Sequence, residues 1–146
     1  MVVLVFLLMT SGRYLLLGNV PSYHPNMLDY TLSPYESTLT IRLHSAVSEA
    51  DVLLLIPKVD KYLEHHKRLA GVMLISKDWA GWDSFAALRA TMAFLRDHHH
   101  RISRMALVTD SVLADLIPIF ASRFLDTTIR HFPYDEEPAA KIWLVG

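Results

Sequence analysis

The chain has no cysteine, only five glycines in 146 residues, and a formal charge of −1. Without cysteine, disulfides, thiolate metal sites and cysteine nucleophiles are excluded, and stability must come from packing. A reducing cytoplasm is compatible with that composition. The few glycines form neither common phosphate-binding loop, and no Gly-x-Ser-x-Gly elbow marks a serine nucleophile. His-Glu-x-x-His spacing is also missing. A nearly balanced charge exerts no general pull on nucleic acid, so no such partner is expected. Disorder is excluded as well, because 52% of the residues are hydrophobic and only 20% charged.

The first 26 residues differ from the rest. Met1 to Met9 is apolar, Arg13 follows a short polar break, and Pro21 and Pro25 come next. A membrane span needs about 20 mostly apolar residues, and Arg13 near its centre would cost roughly 2.5–3.5 kcal/mol. A secretory signal needs a basic stretch before its apolar segment, and no Lys or Arg precedes this one. The reading adopted is an appendage outside the fold, a misassigned start or a weak anchor, with one domain over residues 27–146.

From Met27 the periodicities describe an α/β domain. Leu28 to Leu32 and Thr38 to Leu43 flank a turn-forming Ser33-Pro34-Tyr35-Glu36-Ser37, as neighbouring antiparallel strands do. Ser48 caps a helix carrying Val52, Leu55, Val59 and Tyr62 inward, and Pro57 should kink or divide it. Leu69 to Ile75 is a continuous apolar run, the pattern of a strand covered on both faces, and Ile102 to Val108 repeats the buried-strand pattern. Between them, Asp83 or Ser84 caps a helix whose inward stripe should be Phe85, Leu88, Met92 and Leu95. A further helix carries Leu113, Leu116, Ile117, Phe120 and Phe124 and should be bent or interrupted at Pro118. Thr127 to Phe132 forms the last strand, and a closing helix holds Ala140, Trp143 and Leu144. The order β-β-α-β-α-β-α-β-α implies right-handed crossovers and a mixed, mostly parallel five-stranded sheet with about four helices.

Five segments carry a family resemblance. They are Ser48-Glu49-Ala50-Asp51 opening a helix that holds Ile56-Pro57; Asp78-Trp79-Ala80-Gly81-Trp82; Arg104 to Asp110; Arg130-His131-Phe132-Pro133; and Ala140 to Leu144. In order and spacing they resemble the SpoIIAA-like branch of the STAS superfamily, whose layout is compared with that of CRAL-TRIO lipid carriers. The resemblance implies a STAS-like fold and a regulatory or ligand-binding module with membrane association, and no enzyme. STAS anti-sigma antagonists carry Asp-Ser-Ser-Gly at the start of the helix after a central strand. This chain has Asp83-Ser84-Phe85-Ala86 there, so Ser84 corresponds to the family's phosphorylated position while the second serine and the glycine are missing. The departure weighs against phospho-switching and leaves Ser84 an ordinary N-cap.

Ligands of open α/β sheets bind beyond the carboxyl ends of the parallel strands. That rule selects Ser76 to Ser84 and Thr109 to Ser111, and with them Lys77, Asp78, Trp79, Trp82, Asp83, Ser84 and Asp110 as ligand-binding candidates. Two indoles beside a cation and carboxylates can wall an apolar or amphiphilic ligand, or simply close the end of the core. Asp78 and Asp83 could serve as a catalytic pair only in a pocket that separates their pKa values, so no catalytic residue is assigned. His65-His66, His98-His99-His100 and His131 are the metal-ligand types present. Adjacent histidines on a helix end diverge, and helix C-termini favour histidine electrostatically, so no metal or other cofactor is expected. The expected function is a non-enzymatic module that binds an apolar or lipid-like ligand, cytoplasmic or peripheral to a membrane, with Pro57 and Pro118 allowing helices to shift. The alternative is an interaction module for a regulatory protein partner, with Ser84 as its control site.

Overall fold

In a computed structural model, residues 28–146 are described; the segment 1–26, read above as an appendage, lies outside them. The strands are β1 (Leu28–Ser33), β2 (Thr38–Leu43), β3 (Leu69–Ile75), β4 (Ile102–Val108) and β5 (Thr128–Phe132). The helices are α1 (Glu49–His65), α2 (Phe85–His98), α3 (Leu113–Ala121) and α4 (Glu137–Val145), with 3-10 turns at His99–Arg101 and Tyr134–Glu136. The expected α/β order holds throughout.

The sheet runs β1-β2-β3-β4-β5. β1 is antiparallel to β2, and each later neighbour is parallel. Parallel strands laid down in sequence order by right-handed crossovers put their connecting helices on one face. One apolar cluster accordingly joins Leu39, Ile41 and Val72 of the sheet to Val59, Tyr62 and Leu63 of α1, with Phe94 of α2 and Leu113 and Ile117 of α3 packed against it. The opposite face belongs to α4, where Ala140 and Leu144 meet Met73, Ile75, Ala106, Val108 and Phe132. From Val72 to Ile75, alternate residues therefore enter different cores, and both must be apolar.

Ser48 caps α1 with a reciprocal box. Its hydroxyl accepts the Asp51 N–H at 3.0 Å, and the Asp51 carboxylate accepts the Ser48 N–H at 2.9 Å. Pro57 does not divide this helix, which continues to His65. Pro57 and Leu53 both lie on the exposed side, where the carbonyl four residues back loses its partner facing water. Pro118 likewise stays inside α3, which ends at Ala121 before the exposed Phe124 rather than reaching it.

The expected inward stripe of α2 is corrected. Phe85 and Met92 are 54% and 53% exposed, whereas Ala87 and His98 are buried and Thr91 and Phe94 half-buried. Ala87, Thr91, Phe94 and His98 form a single helical stripe of their own, and the small Ala87, fully buried, lets the helix approach closely. Among the described residues no helix is long and apolar enough to cross a membrane.

On the other face, β1 and β2 present Thr31, Ser33, Thr38, Thr40 and Arg42 beside α4, in a polar cleft of about 240 Å³ that includes Lys141. Arg42 and Glu137 pair there, with an Nη2–Oε1 distance of 2.5 Å, and the carboxylate holds the guanidinium above its ordinary range. Next to this cleft α4 crosses the sheet at Gly71, where an added Cβ would lie 1.9 Å from Leu144 Cδ2 and 3.0 Å from its Cγ. Gly71→Ala is expected to destabilise the fold by about 1–3 kcal/mol in urea denaturation, with the penalty shrinking in a Leu144→Ala background.

Candidate functional site

The carboxyl ends of β3 and β4 are tied together by a buried hydroxyl. Thr109, 3% exposed, donates through Oγ1 to the Lys77 carbonyl at 3.2 Å and accepts the Ser111 N–H at 3.1 Å and the Trp79 N–H at 3.5 Å. Asp110 N–H also donates to the Lys77 carbonyl, at 2.9 Å, and the Asp110 carboxylate accepts the Tyr134 N–H at 3.0 Å. One threonine thus fixes the loop that delivers the indoles. Thr109 lies in the selected segment but was not singled out; its signal is its place directly after a buried strand.

A second tie closes the edge from the side of α1. Val47 and Trp82 form a parallel bridge, with Val47 N–H donating to the Gly81 carbonyl at 2.8 Å and Asp83 N–H to the Val47 carbonyl at 2.9 Å. The turn into this bridge needs Gly81, whose φ of 80° is costly for a residue with a side chain.

Behind the bridge, Trp79 and Trp82 meet edge to face with centroids 5.1 Å apart. Trp82 is half-buried, and its Nε1–H donates to Thr91 Oγ1 at 2.8 Å, while that hydroxyl donates to the Ala87 carbonyl at 2.9 Å. Trp79 is 4% exposed and belongs to the core cluster, yet its Nε1–H has no acceptor among the described residues. A buried donor left unpaired costs about 1–3 kcal/mol. Tyr62 Oη is in the same position on α1.

The remaining selected residues surround this edge without converging. Lys77, Asp78 and Asp83 are exposed, and Ser84, also exposed, caps α2 by accepting the Ala87 N–H at 3.0 Å. The structure therefore brings together Trp79, Trp82 and Thr109 and leaves the charged groups at the rim.

The histidines are dispersed. His98, 8% exposed, sits between the Phe94 carbonyl (Nδ1, 2.7 Å) and Asp60 (Nε2, 2.6 Å) in a cleft of about 390 Å³ between α1 and α2. His131 is held between Asp115 (Nδ1, 2.7 Å) and the Thr109 carbonyl (Nε2, 2.6 Å), apart from the other histidines. His66 stacks on Tyr62. His99 and His100 are the histidines that form a potential metal-binding group among the described residues, beside Asp126, and their rings do not diverge as expected of a helix end because a 3-10 turn carries them. Arg101, also overlooked in the sequence, closes the end of α1 by donating to the carbonyls of Leu63, His66 and Lys67 at 2.8–3.0 Å.

The family profile described as SpoIIAA-like matches residues 38–145, which run from the first residue of β2 to the last of α4. The fold is shared with an uncharacterised protein of the DUF3478 family with a SpoIIAA-like fold from Shewanella loihica PV-4, at a TM-score of 0.68 and 15% identity, covering 86% of this chain and 99% of that one. No curated protein matches. Thr91→Val should leave the Trp82 N–H without its acceptor and lower stability by about 1 kcal/mol in chemical denaturation; an unchanged midpoint would mean that the bond contributes nothing.

Proposed function

The chain belongs to the SpoIIAA-like family, and from that premise we propose that it is a non-enzymatic module whose edge around Trp79 takes up an amphiphilic ligand with an acceptor headgroup. The carrying observation is the buried indole N–H of Trp79, which lacks an acceptor. A carboxylate or phosphate oxygen would supply it, and a hydrogen bond to a charged group contributes about 1.5–3 kcal/mol. The ligand's apolar part would lie along the indoles, which meet edge to face at this edge.

Entry requires the bridge between Val47 and Trp82 to open. Two backbone hydrogen bonds at a net of about 0.5–1.5 kcal/mol each set a cost small enough for a minor open state to exist and be selected by ligand. Apolar side chains beside the edge support delivery from a membrane surface. Leu53 and Leu54 in the second turn of α1 are 54% and 43% exposed, and Phe85 opens α2 with the Arg89 guanidinium 5.6 Å from its ring centroid. Apolar tips flanked by a cation suit the boundary between headgroups and acyl chains.

Isothermal titration with oleate, together with flotation on phosphatidylcholine vesicles, tests the reading. Oleate should bind the wild-type chain at one site, and Trp79→Phe, which keeps an aromatic ring and removes the N–H, should weaken it roughly tenfold. Equal affinity for the variant, or no binding to oleate and vesicles alike, would overturn it.

A further inference from the structure

We propose that His99, His100 and Asp126 form a binding site for a borderline divalent transition ion such as zinc, at the amino end of the sheet and away from the Trp79 edge. β4 and β5 are parallel neighbours in register from Arg104 and Thr128, so the residues just before each strand lie side by side. That pairing brings the 3-10 turn of His99 and His100 against Asp126, although 26 residues separate His100 from Asp126 in the chain.

The donor atoms lie close together. His100 Nδ1 contacts Asp126 Oδ2, His99 Nδ1 lies 3.9 Å from the same oxygen, and the two rings are 3.8 Å apart. All three ligand atoms lie within 4.8 Å of one another. With Zn–N and Zn–O bonds near 2.0–2.2 Å, two donors on one tetrahedral ion are about 3.3 Å apart, so side-chain adjustments of about an ångström complete the set. The ion would take the place of the proton between His100 and the carboxylate.

The surroundings hold this arrangement. The Asp126 N–H donates to His99 Nδ1 at 3.0 Å, so that nitrogen is the unprotonated one, and metal binding would exchange this hydrogen bond for a bond to the ion. The His99 side chain is only 12% exposed. Thr127, 3% exposed, donates through Oγ1 to the carbonyls of His99 (3.1 Å) and Ile102 (2.9 Å), locking the turn to the start of β5.

Two imidazoles and one carboxylate select zinc, nickel or copper over calcium and magnesium, which take oxygen donors. His100 and Asp126 are mostly exposed, so solvent occupies the fourth position and the ion exchanges readily. Bound there, it would pin the segment between α3 and β5 to the start of β4 and stabilise the native state by mass action.

Zinc titrated calorimetrically into untagged, chelator-stripped protein tests the site, with thermal unfolding in parallel. The expected result is one zinc per chain, a raised unfolding midpoint, and at least about a tenfold loss of affinity in both His100→Ala and Asp126→Asn. Both substitutions fall on exposed side chains, and His44→Ala, which removes the exposed histidine paired with Asp29, should bind as the wild type does. No saturable binding, binding indifferent to both His100 and Asp126, or an equal loss in His44→Ala would overturn the proposal.

Discussion

Because β3 and β4 carry apolar side chains on both faces, two separate layers must cover them, and the rest of the molecule is arranged by that requirement. The three crossover helices occupy one face, since strands added in sequence order leave them no choice of side. The opposite face is left to α4, which approaches Gly71 so closely that a Cβ there would require the Leu144 side chain to shift. The polar ladder of β1 and β2 follows from the same geometry: α4 covers the centre of its face, and the flank needs threonines, serine and Arg42 rather than leucines.

Strand positions were readable in the residues because a buried strand leaves a continuous apolar run bounded by polar turns. β3 begins and ends where such a run does, β2 where Leu39, Ile41 and Leu43 alternate with polar residues, and β4 at the bounds of its own mostly apolar segment. Helix orientation was not. α2 offers two stripes, and hydrophobicity favours Phe85, Leu88, Met92 and Leu95, whereas docking selects Ala87, Thr91, Phe94 and His98. The deciding contacts are tertiary: Trp82 needs Thr91 as its acceptor, and His98 needs Asp60 of α1. Local periodicity contains neither.

The candidate edge was legible by topology alone, since loops after parallel strands must gather at one end of the sheet. What joins them was not, because Thr109 acts through its single hydroxyl on backbone groups of another loop. The amino end shows the same limit. His99 and His100 acquire Asp126 only through the pairing of β4 with β5, and Arg101 reaches the end of α1 across more than thirty residues. The two ends of the sheet thus carry different chemistry, indoles and a buried hydroxyl at one, imidazoles and a carboxylate at the other.

Uptake at the Trp79 edge requires the Val47–Trp82 bridge to open as a local unit over a core that stays closed. Native-state hydrogen exchange reads this directly at the amides of Val47 and Asp83, the two donors of the bridge. Both should exchange through a local opening on the order of 1–3 kcal/mol, far faster than the amides of Val72 and Leu107 in the central strands. Protection of Val47 and Asp83 equal to that of the strand amides would contradict it.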